Sequence, residues 1–334
     1  MIYIIAITVL DYKMTIDGSA LTVENAKECF ELAARSAPPV PTLEGTGILI
    51  CAGGPFIPSA YVVVRLLRKF GVRLPIEIWH AGKDEIPDWV RRAYAPWDVT
   101  FHDVTAFYPE RPQEELRGWP IKTAALMSSK LRHTLFLDAD CFPLRNPVFL
   151  LCTDEYQNTG ALFWPDIKNQ FMTSDAKIWD LTGLTYQGDS EFDSGIVAID
   201  KRRCWQELSL AHWMNANSSF WYNYVWGDKD TFYIAWRKLG AACFLGPACR
   251  RYKAVITRHF WKDGIPLVDH RAGTSKYGLP RRKGPFQIHL APAKCRRSSH
   301  NLYNEIMQRL IVRDFAVHAR YLRELAEVRD FYLS

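Results

Sequence analysis

Two aspartates end an apolar run near the middle of this 334-residue chain. Asp138 and Asp140 follow "TLFL" and precede "CFPLRNP". Residues two apart in a β-strand point to the same side of the pleat, so we expect both carboxylates on one side. Neighbouring carboxylates repel each other unless a cation lies beside them, and Mn²⁺ or Mg²⁺ prefers such oxygen ligands. The pair therefore predicts a metal site, with a turn or helix cap at the strand end as the alternative.

A short glycine-containing loop is the second candidate site. Ala52, Gly53 and Gly54 close the apolar run "GILICAGG", where a backbone without bulky side chains lets a nucleotide approach closely. The chain lacks the GK[ST] of a Walker loop and the glycine pattern GxGxxG. An ordinary turn between a strand and a helix is the alternative.

Two further polar groups stand where predicted elements begin. In "WGDKDTF", Asp230 could cap a helix expected to begin at Thr231, and a cap uses only one carboxylate. Asp228 is therefore left to face a ligand. Asp193 and Ser194, at the start of "EFDSGIVAID", are suited to hydrogen-bonding hydroxyl groups, although a turn before the strand would also explain them.

The elements that must position these residues alternate between strand and helix. This order predicts a mostly parallel sheet covered on both faces, with ligands bound beyond the carboxyl ends of its strands. The predicted strands are "GILICAGG", "PIEIWHAG", "VTFHDV", "HTLFLDAD", "GALFWPD", "SGIVAID", "HFWKDG" and "FQIHLAP". The predicted helices are 23–35, 58–69, "PIKTAALMSSKL", 231–239 and 301–325.

Charge and composition narrow the class of protein. The net charge of +6 is too mild to require a nucleic-acid partner. Residues 250–297 carry about thirteen Lys or Arg against two Asp, which predicts either a surface for an anionic ligand or a solvated face. The eight cysteines show no CxxC pair and no framework spacing, so we expect reduced thiols.

The apolar start "MIYIIAITVLDYK" is too short to span a bilayer and has no basic residue ahead of it. No other stretch approaches the length of a membrane span. We therefore expect a cytoplasmic protein without a transmembrane segment, or a Golgi or membrane-associated one if an N-terminal anchor is missing.

Five blocks of sequence, in order over roughly residues 45–240, resemble GT-A-fold glycosyltransferases, particularly the fungal-type α-mannosyltransferases that include α-1,3-mannosyltransferases. The blocks are "GILICAGG" with "VVVRLLRKFGVRLPIEIWH", "GWPIKTAALMSS", "KLRHTLFLDADCFPLRNP", "EFDSGIVAIDKRRCWQEL" and "WGDKDTFYIAW". The resemblance implies a GT-A, Rossmann-like sheet flanked by helices. Together with the break at "SAPPVPTLEGTG" and the amphipathic stretch 301–325, it leads us to expect an N-terminal appendage and linker (1–44), a catalytic domain (45–297) and a C-terminal helical packing element (298–334).

The resemblance also implies a chemistry. A sugar, with mannose from GDP-mannose favoured and a UDP-sugar possible, would pass from a nucleotide-sugar donor to a glycan acceptor, with retention of configuration. Mn²⁺ or Mg²⁺ would be the cofactor. Asp140 is then a direct metal ligand, and Asp138 contacts the metal or the ribose. His289 would complete the metal site and Lys294 would bind phosphate; His259 and His270 are rival ligands.

The remaining roles combine this resemblance with the residue types. Ala52, Gly53 and Gly54 would form the loop for base and ribose, and Ser194 would contact the donor. Lys122 would contact donor sugar or phosphate, unless it is an ordinary surface lysine. Asp193, Asp228 and Asp230 are candidate catalytic residues, and Asp166 would meet the acceptor.

Two other classes of protein are weighed against this assignment. A haloacid-dehalogenase phosphatase also has Asp-x-Asp after a strand, but the Gly-Thr that normally follows is replaced by Cys141-Phe142. A non-catalytic protein of GT-A fold that binds carbohydrate or nucleic acid is the remaining alternative.

Overall fold

The computed structural model describes residues 20–167, 175–188, 190–251 and 256–270. His289, Lys294, the predicted strand "FQIHLAP" and the predicted helix 301–325 lie outside the described residues. The domain bounds at residues 45 and 297 stay predictions.

Ten α-helices occur in the described part of the chain. They are α1 (Ala26–Arg35), α2 (Ile57–Lys69), α3 (Asp88–Tyr94), α4 (Gln113–Leu116), α5 (Ile121–Ser128), α6 (Asp154–Thr159), α7 (Lys177–Thr182), α8 (Trp205–Ala216), α9 (Ser218–Trp221) and α10 (Asp228–Leu239). Eleven strands accompany them in the same residues. They are β1 (Glu44–Cys51), β2 (Ile76–His80), β3 (Val99–Asp103), β4 (Leu131–Asp138), β5 (Cys141–Pro143), β6 (Ala161–Pro165), β7 (Phe192–Asp200), β8 (Phe244–Leu245), β9 (Arg250–Arg251), β10 (Thr257–Phe260) and β11 (Pro266–His270).

The main sheet has seven strands in the order β3-β2-β1-β4-β7-β6-β8. Only β7 runs against its neighbours, and the other six strands share one direction. The predicted mostly parallel sheet flanked by helices is therefore confirmed. Cys51, the last residue of β1, pairs with Asp138, the last residue of β4. The glycine loop and the first aspartate consequently meet at one edge of the sheet.

A second sheet, of order β5-β11-β10-β9, brings a distant part of the chain to this edge. β5 directly follows the acidic pair, and β11 pairs with it in antiparallel register. In that register His270 lies opposite Cys141, the residue after Asp140. This pairing places His270 beside the acidic pair although 130 residues separate them in sequence.

The core has two parts, and alternate residues of the central strands belong to different ones. Ile48 and Ile50 of β1 belong to the cluster with α2, whereas Leu49 belongs to the cluster with α5, α8 and α10. Helix α1 belongs to the same cluster as α5, α8 and α10. Its Phe30 is fully buried there, with its ring centroid 5.6 Å from that of Trp221. The apolar alternation thus explains why helices cover both faces of the sheet.

Helix α10 begins at Asp228, three residues before the predicted start at Thr231. Gly227, with φ +113°, lets the chain turn into the helix. The interpretation of Asp230 as the helix cap was wrong, because Asp230 lies inside the first turn. Its Oδ2 instead accepts a hydrogen bond from the backbone N–H of Trp226 at 2.8 Å.

Within the described residues, the seven cysteines that occur form no disulfide, in agreement with the expectation of reduced thiols. No helix in those residues is both long and apolar enough to cross a membrane.

An ion pair between the half-exposed Arg132 and the buried Asp200 stabilises the amino end of the acidic strand and gives a first prediction. Arg132 Nε and Nη2 donate to the Asp200 carboxylate at 3.1 and 2.9 Å, and these bonds outweigh burial and lower the pKa of Asp200. We expect Asp200→Asn to lower the free energy of unfolding by about 1–2 kcal/mol at pH 7. Because the folded-state pKa is lowered, this stabilisation is present above about pH 4 and is lost as the pH falls through the folded-state pKa.

Urea unfolding of both proteins between pH 3 and pH 7 measures the difference. The gap between wild type and variant should be constant near neutrality and should close in acid. Asp263→Asn is the control, since that carboxylate is exposed in its pair with Arg145 and should matter less. A gap that widens in acid would contradict the assignment.

Candidate active site

A pocket of about 650 Å³ opens at the carboxyl edge of the main sheet. Ten of the predicted candidate residues line it: Ala52, Gly53, Lys122, Asp138, Asp140, Asp166, Asp193, Ser194, Asp228 and the rival metal ligand His270. Gly54 begins a 3₁₀ turn (Gly54–Phe56) and Asp230 is fully buried, and neither lines the pocket.

Lys122, on α5, is buried and joins three parts of the pocket wall. Its Nζ lies 3.1 Å from Asp138 Oδ1 and 2.7 Å from Asp228 Oδ2, and it donates to Ser194 Oγ at 2.8 Å. Burial alone would lower the pKa of Lys122, but the two carboxylates outweigh it and raise the pKa. Lys122 is therefore a charged, buried crosslink, and the alternative of an ordinary surface lysine was wrong.

The acidic pair faces the imidazole of His270. Strand β4 ends at Asp138, so Asp140 lies in the turn before β5, yet both carboxylates line the pocket. His270 Nε2 lies 3.6 Å from Asp140 Oδ1 and 4.0 Å from Asp138 Oδ2. Burial raises the pKa of Asp138 to about 6, with Lys122 opposing the rise. One imidazole nitrogen thus lies within 4.0 Å of an oxygen of each carboxylate.

Asp193 holds the other side of that imidazole. Its Oδ2 lies 2.8 Å from His270 Nδ1 and 2.9 Å from His259 Nε2, while its Oδ1 accepts the backbone N–H of Gly195 at 2.7 Å. Burial would raise the pKa of Asp193, but the two histidines outweigh it and lower the pKa well below its usual range. Asp193 therefore stays ionised and fixes the orientation of His270.

The donor set fits a divalent cation. Asp138, Asp140 and His270 Nε2 would hold it, and Asp193 would orient the histidine by accepting from Nδ1–H, as carboxylates commonly do for metal-bound histidines. Burial lowers the pKa of His270, yet Asp193, Asp140 and Asp138 together raise it to about 10. The surrounding field thus favours positive charge at this position. Cys141 Sγ also lies near Asp140 and His270, but burial raises the pKa of that thiol strongly.

The glycine loop lies against the carboxylate of Glu85, which is not among the site residues predicted from the sequence. A Cβ at Gly53 would lie 2.1 Å from Glu85 Oε2, so only glycine leaves Glu85 in place. Glu85 lines the pocket, and its Oε2 accepts the backbone N–H of Ala81 at 2.8 Å. Burial raises the pKa of Glu85 to about 7. No sequence signal marked Glu85, because it lies in an ordinary polar stretch after β2.

Asp166 lines the pocket as part of a second charged cluster. Lys229 Nζ lies 3.4 Å from Asp166 Oδ2, 2.6 Å from Glu191 Oε2 and 2.8 Å from Asp230 Oδ1. Burial raises the pKa of Asp230 to about 7, which Lys229 opposes. Asp230 therefore supports the wall from behind, whereas Asp166 and Lys229 line the pocket itself.

Comparison with known proteins gives a family context. Residues 45–186 match a family described as putative mannosyltransferases. The alpha-1,2-mannosyltransferase MNN2 of Saccharomyces cerevisiae is 24% identical over 266 residues, which are 66% of this chain and 44% of that protein. The alpha-1,2-mannosyltransferase MNN2 of Candida albicans is 28% identical over 142 residues, which are 42% of this chain and 24% of that protein. The chain thus spans less than half the length of these relatives.

Among solved structures, a mutant of LgtC aligns with a TM-score of 0.49 and 16% identity, covering 78% of this chain and 94% of that chain. The Saccharomyces cerevisiae mannosyltransferase Ktr4p aligns with a TM-score of 0.40 and 12% identity, covering 70% and 80%. The names of the curated relatives specify α-1,2-mannosyltransferases, whereas the motifs suggested the α-1,3 branch. The chain has a mostly parallel sheet flanked by helices, its residues 45–186 match the model of a putative mannosyltransferase family, and its sequence is similar to fungal alpha-1,2-mannosyltransferases.

Proposed function

We propose that this protein is a metal-dependent glycosyltransferase that moves mannose from GDP-mannose to a hydroxyl group of a glycan acceptor, with retention of configuration. The observation that carries the proposal is the convergence of Asp138, Asp140 and His270 in the pocket that Lys122 and Asp228 also line. The similarity to mannosyltransferases supports the choice of sugar.

Glycosyl transfer breaks the bond between the anomeric carbon and the phosphate oxygen, and negative charge develops on the departing diphosphate. A divalent ion held by Asp138, Asp140 and His270 would supply Lewis-acid stabilisation of that charge. Lys122 contributes a fixed positive charge in the same wall without moving, because Asp138, Asp228 and Ser194 hold its ammonium group. The positive charge of Lys122 is therefore already in position before the reaction starts.

Asp228 is the carboxylate best placed to face the reacting sugar. Its Oδ2 accepts from Ser194 Oγ at 2.7 Å and meets Lys122 Nζ at the same distance. These contacts hold the carboxylate in place, where it can stabilise the positive charge that develops on the sugar. Asp166, on the wall formed with Lys229, would accept hydrogen bonds from acceptor hydroxyls.

The position of Glu85 favours guanine as the base that binds at the glycine loop. The edge of guanine presents two adjacent N–H donors, N1–H and N2–H, which a carboxylate can accept together, whereas uracil presents a single N–H between two carbonyl oxygens. Glu85 lies against Gly53 and lines the pocket at the end of β1, where the base loop is expected.

This assignment predicts a change of base preference in Glu85→Gln. The amide offers one acceptor where the carboxylate offers two, so we expect the affinity for GDP to fall about tenfold and that for UDP to change less than threefold. Isothermal titration calorimetry with both nucleotides and Mn²⁺ measures the two affinities. Glu114→Gln, on the short helix α4 outside the pocket lining, is the matched control. Equal losses for GDP and UDP would contradict guanine recognition.

A thermal-shift panel of nucleotide sugars, with and without Mn²⁺, tests the proposed function. A ligand that binds only the folded state raises the melting temperature, so GDP-mannose with Mn²⁺ should give the largest shift. Chelation of the metal should remove that shift. Shifts that are equal with and without chelator would contradict the metal-bridged model. A non-catalytic binding protein would show the shift but release no GDP and transfer no mannose.

A further inference from the structure

We propose that Trp119 and Trp226 form a platform on which a hexopyranose ring of the acceptor stacks, an inference that rests on the proposed transfer function. The two residues are 57% and 59% exposed, and both line the pocket that contains the acidic pair. Other tryptophans, including Trp79, Trp164, Trp213, Trp221 and Trp236, are almost fully buried. Two exposed indoles in one pocket therefore differ from the use of tryptophan elsewhere in the described chain.

The structure fixes the Trp119 indole from one side. A Cβ at Gly227 would lie 2.8 Å from Trp119 Cε3, so the absence of a side chain at Gly227 makes room for the ring. Tyr222 adds an edge contact, with ring centroids 5.9 Å apart. Gly227 is also the residue whose φ of +113° starts α10. A single glycine thus seats Trp119 beside the segment that carries Trp226.

The location of Trp226 in the fold separates this indole from the nucleotide end. In the order β2-β1-β4-β7-β6, the loop with Gly53 and Glu85 lies at the β1 and β2 side, and Asp138 lies at the centre. Trp226 comes two residues before Asp228, and the backbone N–H of Trp226 donates a hydrogen bond to Asp230 Oδ2. Asp166 directly follows β6 and lies on the side formed by α10 and β6. A donor with its base at β1 and its diphosphate at β4 leaves this side to the acceptor.

The chemistry of the platform matches a sugar ring. One face of a hexopyranose carries C–H groups, which pack on an aromatic ring, while its hydroxyl groups need polar partners. The neighbouring Asp166 and Lys229 supply an acceptor and a donor on the same wall. Exposed indoles beside charged groups therefore suit a hexopyranose ring better than they suit a wholly apolar ligand.

Binding of methyl α-D-mannopyranoside in the absence of donor tests the platform directly. In protein labelled with ¹⁵N at the indole nitrogens, we expect the signals of Trp119 and Trp226 to shift saturably, with the signals assigned from the Trp119→Ala and Trp226→Ala spectra. Trp226→Ala should weaken binding about tenfold, and Trp226→Phe should recover part of the loss. Tyr186→Ala is the control, because Tyr186 is also exposed but does not line the pocket. Shifts confined to other indoles would overturn the platform.

Kinetics separate the platform from donor binding. In Trp226→Ala the KM for methyl α-D-mannopyranoside should rise about tenfold while the KM for GDP-mannose changes less than twofold. A rise in the KM for GDP-mannose alone would place the indoles at the donor and overturn the inference. A wild-type protein that binds the mannoside through these indoles, yet neither transfers nor hydrolyses GDP-mannose, would refute the proposed function and leave the platform standing.

Discussion

Replacing Asp140 by asparagine is expected to reduce mannosyl transfer at least about a hundredfold, because the amide keeps the shape of the side chain but removes the charge that a divalent ion requires. Asp140 lines the pocket, and its Oδ1 lies 3.6 Å from His270 Nε2. The measurement is the initial rate of transfer from GDP-mannose at saturating Mn²⁺.

Asp88→Asn is the matched control, since Asp88 is an exposed aspartate in the first turn of α3 and does not line the pocket. That variant should retain wild-type activity. The melting temperature of Asp140→Asn without metal should stay close to that of the wild type, because the variant loses both the repulsion from Asp138 and the attraction to His270. Transfer by Asp140→Asn at more than a tenth of the wild-type rate would contradict the role of Asp140 as a metal ligand.

Replacing Lys122 by methionine is expected to lower both stability and activity. The substitution leaves Asp138 and Asp228 without their common cation in a wall where Asp228 is almost fully buried. Removing one partner of a buried ion pair costs about 3 kcal/mol of unfolding free energy. Transfer should also fall, because a fixed positive charge next to the leaving group is lost.

Urea unfolding with and without Mn²⁺ distinguishes these two consequences. Because a cation bound at Asp138 replaces part of the missing charge, Mn²⁺ should stabilise Lys122→Met more than it stabilises the wild type. Lys262→Met is the control, as its side chain is 55% exposed in a surface pair with Glu155 and should cost little. A Lys122→Met protein as stable as the Lys262→Met protein would show that Lys122 is not the crosslink of the site.

The sequence predicted the part of the site that local patterns determine. The apolar run before Asp138 predicts a strand, alternation of strands and helices predicts the parallel order, and both together place Gly53 and Asp138 at one edge. The described residues confirm this, with Cys51 and Asp138 paired in register.

The contacts that complete the site depend on long-range pairing, which a single sequence does not reveal. His270 reaches Asp140 because β11 pairs with β5, and Glu85 reaches Gly53 through the turn after β2. The sequence alone left His270 as one of three possible ligands. The early start of α10 depends on Gly227, whose positive φ and contact with Trp119 appear only in three dimensions.

The most direct test of the metal site is the binding of Mn²⁺ measured by electron paramagnetic resonance, in which bound ion loses the sharp signal of free Mn²⁺. In the presence of GDP, the wild-type protein should bind one Mn²⁺ per chain, and Asp140→Asn should bind at least tenfold more weakly. Equal binding of Mn²⁺ by the two proteins would contradict the claim that Asp138, Asp140 and His270 hold the ion that carries the donor's diphosphate.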